Sequence, residues 1–596
     1  MKRPRSNASF FVALIIAIAF VAMLAWSWGG WPDPLVDFGR ELYVPWQLSQ
    51  GKVLYRDIAY FNGPLSPYFN SLLFRTLGAS LRTLVFANIA IAASVLVMIY
   101  KLWRFAGGRL SATVAALSFV LLFMCLQVVT IGNYNWITPY SHEITHGVAL
   151  SLAAILATIL FATRRQALRC ALIGTLLGGV FLTKPEVFAA AALAIGVGVA
   201  LILRSPRFDR SQRMRAIALL LAGFATPAVV SLLLLALAMP LHDALRGTLG
   251  GWWYVFDPQV SGSRFYRLNM GTDQAAHHLG VVIAEFAAAA LALGPALILD
   301  LAIVRWWPGL KSTLRIAIAL VYALALGCAM MIFESRIAWV ELFRTLTPLL
   351  AIASIILIAC AMRRGNARRV LRAMLAIFAA GLLGKLLLVA RIYHYGFALA
   401  LPATLVAFAI LVSWLPRSIE RSNARPVWTL RLAAIAALGI VAFQYLREDA
   451  RGFHDKPFVV ADGTADQFRA DPRGSAVDDM VQILSALPRT TTLAVVPEGS
   501  MINYLTRLEN PTGQVSLMPP EIAMFGERRI LSAFERHPPD YVLLVQANLS
   551  DYGYRSLEEY AGEIDAWIRA SYTPLPTPQN PAVRTLLLRR NRTDAP

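Results

Sequence analysis

The sequence predicts a mainly α-helical, polytopic membrane protein that ends in a smaller α/β domain. Of its 596 residues, 57% are hydrophobic and only 15% are charged, and the mean hydropathy is +0.57. A soluble protein of this length needs much more polar surface. The net charge of +20 comes from short basic clusters between apolar runs. That placement indicates control of membrane topology, so we expect no nucleic-acid partner.

The N-terminal stretch "MKRPRSNASFFVALIIAIAFVAMLAWSWGG" has a basic start followed by a long apolar run. The run extends over roughly twenty residues, and no A-x-A cleavage site follows it. We therefore predict an uncleaved first transmembrane helix that starts in the cytoplasm.

A window of about 19 residues finds thirteen apolar segments, which predicts a bundle of about thirteen helices. The region 170–203 is split by "TKPE" and is compatible with two helices or with one broken helix. The predicted segments are 8–29, 83–100, 110–131, 147–163, 170–183, 187–203, 216–239, 278–302, 316–333, 346–362, 373–390, 397–415 and 432–446.

The charges of the connecting loops alternate, which predicts the orientation of the bundle. The loops "KLWRFAGGR", "RRQALR", "RSPRFDRSQRMR", "RWWPGLKSTLR", "RRGNARRVLR" and "RSIERSNARPVWTLR" are basic and nearly free of acids. The other loops carry most of the acidic residues. Because basic loops stay in the cytoplasm, we expect a cytoplasmic N-terminus, a bacterial inner-membrane location and a C-terminal domain in the periplasm or outside the cell.

The composition changes after residue 446, so we predict a membrane domain at 1–446 and an extracytoplasmic α/β domain at 447–596. Residues 447–475 are predicted to be a linker. "ALPRTTTLAVVPEGSMINYLTR" indicates a strand, a turn and the start of a helix, and "HPPDYVLLVQ" indicates a second buried strand. "SLEEYAGEIDAWIRASY" has the apolar period of an amphipathic helix.

The first outside loop, residues 30–82, contains candidate catalytic acids. Asp37 and Glu41 are four residues apart, so a helix would place both on one face beside Arg40. Asp57 lies further along the same loop. A carboxylate near other carboxylates at a membrane surface can be tuned to act as a general base. An ordinary solvated loop helix is the alternative.

The run "GKVLYRDIAYFNGPLSPYF" in this loop resembles the GT-C superfamily of membrane glycosyltransferases, in its protein-mannosyltransferase-like and lipid A aminoarabinose-transferase-like branch. The resemblance implies transfer of a sugar from a polyprenyl-phosphate donor to a lipid, glycan or protein acceptor on the outer face. It implies Asp37 as the general base. Many members have an adjacent Asp-Glu pair, whereas Phe38 follows Asp37 here, and Glu41 could supply part of the second role.

A polyprenyl phosphate leaves as an anion, so the chemistry that the resemblance implies needs cations on the outer face. Lys184 in "LTKPE" matches a lysine that similar proteins place after a mid-bundle helix. Arg336 in "ESRIAW", and Arg391 with His394 in "RIYHYG", are the other candidates. Side chains that extend to lipid phosphates at the interface are the alternative for each.

The stretch "SHEITHG" contains the HExxH spacing of zinc proteases, with His142, Glu143 and His146. It opens a predicted crossing of roughly 33 Å. An intramembrane metalloprotease would need a third ligand. The nearest match, Asp300 in "ILDLAIV", lacks the usual glycine and lies at the cytoplasmic end of its helix, on the opposite face of the membrane from His142. Within the resemblance, Glu143 is a second acid, and a divalent ion (Mg, Mn or Zn) on Glu143, His142 and His146 stays open. A non-catalytic lipid or polysaccharide transporter is a third hypothesis.

Overall fold

The computed structural model describes residues 7–591 except for Arg165, Arg364, Ala424 and Gln579. Residues 1–6, whose charges enter the predicted orientation, lie outside the described residues. Ten helices in the described part of the chain are long and apolar enough to cross a membrane. The protein is therefore a multi-pass helical membrane protein, and the predicted fold class is confirmed.

Each of the thirteen predicted apolar segments coincides with a helix. Three of these thirteen helices are shorter than the ten described above. Residues 170–203 form two separate helices. The helices of the bundle are α1 (Asn7–Ser27), α2 (Phe38–Ser49), α3 (Leu65–Leu77), α4 (Leu81–Gly107), α5 (Arg109–Phe119), α6 (His142–Arg164), α7 (Leu168–Phe181), α8 (Pro185–Leu203), α9 (Arg210–Ala236), α10 (Leu241–Leu249), α11 (Trp252–Val255), α12 (Pro258–Ser261), α13 (Arg264–Met270), α14 (Ala275–Trp306), α15 (Ser312–Ile332), α16 (Leu346–Arg363), α17 (Ala367–Leu383), α18 (Gly396–Ala409), α19 (Leu415–Asn423) and α20 (Thr429–His454).

Short π-helical segments extend two of these helices, at Val120–Met124 after α5 and at Ile410–Trp414 after α18. Two 3₁₀ helices, Glu334–Arg336 and Trp339–Thr345, connect α15 to α16. The first loop contains α2 and α3, which the hydropathy pattern does not predict because both are amphipathic and lie outside the apolar runs.

The C-terminal domain has a four-stranded sheet in the order β3-β4-β6-β5, in which only β3 and β4 are parallel. The strand and helix predicted around 487–508 are β3 and α22, and the strand predicted around 537–546 is β4. The elements are β1 (Phe458–Val460), β2 (Phe468–Ala470), α21 (Arg473–Ser485), β3 (Leu493–Val496), α22 (Ser500–Thr506), α23 (Pro519–Phe525), α24 (Glu527–Arg536), β4 (Tyr541–Val545), a 3₁₀ turn (Ser550–Tyr552), α25 (Gly562–Ser571), β5 (Tyr572–Pro574) and β6 (Thr585–Arg590).

The predicted linker at 447–475 is wrong. Helix α20 continues to His454, and the antiparallel pair β1–β2 and the start of α21 follow directly. The segment was predicted to be irregular because its polar residues interrupt the apolar pattern. Most of these polar residues are at least partly exposed, although Asp449 and Lys456 are buried, as are the apolar Val460, Phe468 and Ala470.

A buried ion pair joins the C-terminal domain to the first loop. Asp33 is only 2% exposed, and its Oδ2 lies 2.8 Å from Nη2 of Arg473 at the start of α21. The backbone amides of Leu35, Val36 and Gly132 also donate to its carboxylate, at 2.7–2.9 Å. Burial raises the pKa of Asp33, but Arg473 and these amides outweigh it, and the pKa falls below its ordinary value.

We expect Asp33→Asn to destabilise the protein by about 3 kcal/mol at neutral pH, because it leaves a buried arginine without its full partner. Since the pKa of Asp33 is lowered, its stabilisation is present above its unfolded pKa and is lost as the pH falls through the folded value. Thermal unfolding at pH 7 and at acid pH measures both effects. Asp455→Asn, at an exposed aspartate, is the control, and an equal loss in the control would contradict the assignment.

Candidate active site

Asp37 precedes α2 in a backbone conformation that residues other than glycine avoid. Its φ is +60° and its ψ is −54°, which stores strain. Its backbone N–H donates to Oε1 of Glu498 at 2.8 Å. Two residues later, a Cβ on Gly39 would collide with the backbone of Met501. The C-terminal domain therefore holds this strained residue in place and positions its carboxylate.

The Asp37 carboxylate is accessible, and the charges around it shift its pKa in opposite directions. Its side chain is 24% exposed, and its Oδ1 lies 3.5 Å from Nη2 of Arg40. Burial raises the pKa of Asp37 above its ordinary value, Arg40 and Lys184 oppose the rise, and Glu41 adds to it. An accessible carboxyl group with a raised pKa is suited to accept a proton near neutral pH.

Two carboxyl groups of the C-terminal domain lie near Asp37. Glu498 follows β3 at the carboxyl end of the parallel pair, the edge at which α/β sheets commonly place ligand-binding groups. Burial and the charge of Asp37 raise the pKa of Glu498 well above its ordinary value. Burial also raises the pKa of Glu521 to about 7, although Arg40 opposes the rise. Acids from two domains thus meet at one place.

Glu41 binds the start of α6 and does not point to open space. Its Oε2 accepts from the backbone N–H of His142 at 3.0 Å and lies 2.6 Å from Nδ1 of the same residue. Its Oε1 accepts from Nε of Arg40 at 3.3 Å. Burial raises the pKa of Glu41, but the bonds from His142 and the charge of Arg40 lower it further. Glu41 is therefore an ionised positioning residue that links α2 to α6.

Glu143 is fully buried, and both of its carboxylate oxygens accept a hydrogen bond. The Tyr60 hydroxyl donates to Oε1, and the Ser141 hydroxyl donates to Oε2 at 2.6 Å. Tyr60 belongs to the first loop, so Glu143 connects that loop to α6. Burial lowers the pKa of Lys184, while the carboxylates of Glu186 and Glu143 raise it, which places Glu143 on the same side of the bundle as Lys184.

The HExxH residues do not form a metal site. The Asn88 amide donates to Nε2 of His142 at 3.0 Å and to the carbonyl of Ile137 at 2.9 Å. Nδ1 of His142 therefore carries the proton toward Glu41, and neither ring nitrogen has a free lone pair. His146 Nδ1 lies 3.0 Å from the Ser66 hydroxyl. Within the described residues, no three His, Cys, Asp or Glu side chains are grouped as metal ligands.

Asp300, the candidate third zinc ligand, has a structural role elsewhere. Its two carboxylate oxygens accept from the backbone amides of Thr429 and Leu430, at 3.1 and 2.8 Å, at the start of α20. These are orphan donors of a helix N-terminus. The zinc-protease arrangement is therefore not assembled from the residues that the motif predicts.

Lys184 lies in an aromatic cage. The residue is 7% exposed, and its Nζ stands 5.6 Å from the ring centre of Tyr140 and 5.9 Å from that of Tyr395. Across the described chain, no hydrogen-bond acceptor is in reach of this ammonium group. A buried lysine without an anionic partner is costly, and the cation–π contacts compensate only in part. The site is therefore suited to bind an anion.

Further cations face the same rings. Lys385 Nζ lies 4.7 Å from the ring of Tyr266 and 5.2 Å from that of Tyr395. Arg391 donates to Oδ1 of Asn269 at 2.5 Å and to the Tyr393 hydroxyl at 3.1 Å. Three positive side chains thus converge from the loops before α8 and after α17.

His394 lies between these cations and is neutral. Its ring stacks on Tyr140 with the ring centres 5.8 Å apart, and its φ is +55°. Burial and the charges of Arg391 and Lys184 hold its pKa well below the ordinary value. His394 can therefore offer a neutral hydrogen-bonding ring to a ligand, but it does not add a positive charge.

Two predicted residues lie away from this cluster. The Asp57 carboxylate closes a turn by accepting from the backbone N–H of Val53 at 2.7 Å, and it pairs with Arg56 at 2.8 Å. Arg336 is exposed and lies over the ring of Phe333. In the described structure, Arg336 makes no ion pair with a carboxylate of the site.

Sequence reasoning missed Glu498, Glu521 and Lys385. The two glutamates lie in the predicted α/β domain, in "VVPEGS" directly after a predicted strand and in "MPPE". The strand end was a usable signal for Glu498. Lys385 falls inside an apolar run, "GLLGKLLLVARIYHYG", where an isolated charge in a predicted span marks a functional candidate.

Two solved structures are similar to this chain over nearly its whole length. No protein-family model and no curated protein matches the sequence. The chain is similar to the oligosaccharyltransferase of Archaeoglobus fulgidus in complex with Zn and sulfate, at 13% identity and a TM-score of 0.47, over 98% of this chain and 74% of that one. It is similar to ArnT from Cupriavidus metallidurans bound to undecaprenyl phosphate, at 12% identity and a TM-score of 0.46, over 99% of this chain and 100% of that one.

The proposed function rests on the residues of the site.

We expect Glu521→Gln to stabilise the protein at pH 8 but not at pH 4. Because burial raises the pKa of Glu521 to about 7, its contribution to stability is fully present below the unfolded pKa and is lost as the pH rises through the folded value. The gain at pH 8 should reach roughly 3 kcal/mol. Thermal unfolding across this pH range measures it, with the exposed Glu558→Gln as control. A gain that does not depend on pH would refute the assignment.

Proposed function

We propose that this protein is a GT-C-type integral membrane glycosyltransferase. It transfers a sugar from a polyprenyl-phosphate donor to a lipid, glycan or protein acceptor on the outer face of the bacterial inner membrane. The observation that carries this proposal is the pairing of an accessible carboxyl group of raised pKa, Asp37, with a caged and unpaired ammonium group, Lys184.

Asp37 serves as the general base in a direct displacement. The acceptor hydroxyl oxygen attacks the anomeric carbon, its proton passes to the Asp37 carboxylate, and the bond from the anomeric carbon to the phosphate oxygen breaks. The electron pair of that bond remains on the leaving polyprenyl phosphate. Arg40 keeps Asp37 oriented, at 3.5 Å between Nη2 and Oδ1. The neutral carboxyl group of Glu498 keeps further negative charge away from the base.

Lys184, Lys385 and Arg391 stabilise the leaving phosphate. Negative charge on the phosphate grows in the transition state, so cations fixed beforehand lower the barrier. Arg391 is suited to bidentate phosphate contact. The tyrosines that surround these cations exclude water and strengthen the interaction.

The acceptor enters through a cleft between the membrane domain and the C-terminal domain, with a volume of about 200 Å³. Tyr60 lines this cleft and donates to Glu143, so the cleft borders the buried acids. Aromatic and basic side chains from both domains supply contacts for a sugar or an acidic group; they are Tyr55, Arg246, Trp253, Tyr254, Phe525 and Arg529.

A divalent metal has no step in this mechanism. Two of the three predicted ligands are occupied: the ring nitrogens of His142 bond to Glu41 and Asn88, and the oxygens of Glu143 bond to Tyr60 and Ser141. Nε2 of His146 has no hydrogen-bond partner, but a single ligand does not make a metal site. The cations of the site provide the charge compensation that a metal would otherwise supply to a phosphate.

The two domains contribute different residues to the proposed site. Residues 1–446 hold the base and the phosphate-binding cations, and residues 447–596 form the extracytoplasmic domain that carries Glu498 and the far wall of the cleft. Within the described residues, the zinc ligands that an intramembrane protease would need are not grouped together. The transporter hypothesis predicts instead that the protein tolerates changes at Asp37.

Asp37→Asn should lower sugar transfer by between about a hundredfold and ten-thousandfold, because the amide cannot accept the proton. The assay uses the lipid-linked sugar that mass spectrometry identifies in the purified protein, and it follows release of the polyprenyl phosphate. Asp462→Asn, at an exposed hairpin position, controls for the loss of a carboxylate. Full transfer activity of Asp37→Asn would exclude Asp37 as the general base.

Lys184→Gln should weaken binding of undecaprenyl phosphate by about tenfold or more, because a charge-assisted contact is lost. Tritiated undecaprenyl phosphate and the purified full-length protein provide a direct binding measurement that does not depend on turnover. Lys101→Gln removes an exposed lysine from α4 and should leave the affinity unchanged. Equal affinity in wild type and Lys184→Gln would remove Lys184 from the phosphate site.

Glu498→Gln should keep the activity at neutral pH and remove an alkaline transition from the pH profile. Burial raises the pKa of Glu498 well above its ordinary value, so wild type carries a neutral group there until the pH is high. Ionisation then places a second negative charge beside Asp37. Glutamine is always neutral and retains the oxygen that accepts from the Asp37 amide. Identical pH profiles of kcat/KM in the two proteins would exclude this role.

A further inference from the structure

The arginine groove, which we define by Arg368, Arg369, Arg372 and Arg421, lies where α4, α17 and α19 meet. It has a volume of about 330 Å³ and is also lined by Phe105, Asn366 and Ala367. The end of α4, the start of α17 and Arg421 of α19, which are far apart in sequence, come together at this place. None of these residues contributes to the proposed active site.

Two of the arginines are anchored through Nε, which leaves their outer nitrogens available. Nε of Arg372 donates to the carbonyl of Ala106 at 2.9 Å, and Nε of Arg368 donates to the carbonyl of Phe105 at 3.1 Å. These carbonyls end α4 and have no partner within the helix. The Arg372 guanidinium also lies 5.0 Å from the ring centre of Trp414. Within the described residues, the Nη groups of Arg368, Arg372 and Arg421 have no acceptor.

The positive charge of the groove is not compensated by nearby acids. Arg368, Arg369, Arg417 and Arg421 all act electrostatically on Arg372. The carboxylate of this region, Glu420, is bound by both Nη atoms of Arg431, at 2.6 and 3.0 Å. Like charges held this close repel one another, and an anion bound between them would relieve the repulsion.

We propose that the arginine groove binds the phosphate of an anionic phospholipid headgroup. Guanidinium groups match phosphate oxygens in pairs, and basic pockets between membrane helices are suited to such headgroups. The groove has room for a headgroup phosphate, and Arg368 and Arg372 are already fixed by their bonds to the end of α4. Little conformational entropy is therefore lost on binding.

The position of the groove favours a lipid over a soluble anion. At its first turn, α4 receives a bond from the C-terminal domain, between the Leu81 amide and Oδ1 of Asp466 at 2.7 Å. The groove lies at the last turn of this 27-residue helix, roughly 40 Å away. It therefore lies at the opposite boundary of the membrane from Asp37, where lipid headgroups are concentrated. Met362, in the last turn of α16, is 56% exposed and lies close in sequence to Asn366 of the groove.

The test measures lipid retention by the full-length protein. Wild type and the double variant Arg368→Gln/Arg421→Gln are reconstituted in phosphatidylcholine nanodiscs that contain a minor fraction of phosphatidylglycerol. Native mass spectrometry then counts the retained lipids. Wild type should retain phosphatidylglycerol in preference to phosphatidylcholine, and the double variant should lose that preference by about tenfold.

The matched control is Arg207→Gln/Arg210→Gln, which removes the same charge from exposed arginines of another predicted cytoplasmic loop. The control should behave as wild type, and an equal loss in both double variants would overturn the proposal by assigning the preference to bulk surface charge. If the double variant does not fold, Arg421→Gln alone tests an exposed side chain without hydrogen bonds. Displacement of the retained lipid by an equal concentration of inorganic phosphate would overturn the assignment to a lipid.

Discussion

The buried ion pair between Asp33 and Arg473 determines where the C-terminal domain stands relative to the membrane helices. Asp33 also accepts bonds from the amide of Gly132 in the loop before α6. One carboxylate therefore joins the first loop, the second loop and the extracytoplasmic domain. Asp37 follows four residues later, and the bond from its amide to Glu498 depends on this docking. The candidate base is thus positioned by contacts that no single segment provides.

One side of the site is acidic and the other is basic. On one side, burial and mutual repulsion raise the pKa of Asp37, Glu498 and Glu521, which favours proton exchange. On the other, Lys184 and Lys385 face tyrosine rings, and within the described residues neither ammonium group makes an ion pair with a carboxylate. A ligand with a hydroxyl to be deprotonated and a phosphate to be stabilised would satisfy both sides at once.

The HEITH motif shows how a local match can mislead. Its spacing is that of a zinc site, yet His142 bonds to Glu41 and Asn88, and Glu143 bonds to Tyr60 and Ser141. The motif instead fastens α6 to the first loop. A structural role for His142 and Glu143 follows from their burial, because buried polar groups must find partners.

The sequence by itself determined the membrane helices, and it predicted their alternation across the bilayer and the candidate roles of Asp37 and Lys184. Apolar length, loop charge and isolated charges are local properties, so they can be read from one stretch at a time. Only the tertiary structure decided that Glu41 is a positioning residue, that Asp57 and Arg336 lie apart, and that Glu498 and Lys385 join the site. Those outcomes depend on which distant segments approach each other, and side-chain packing between domains sets that approach.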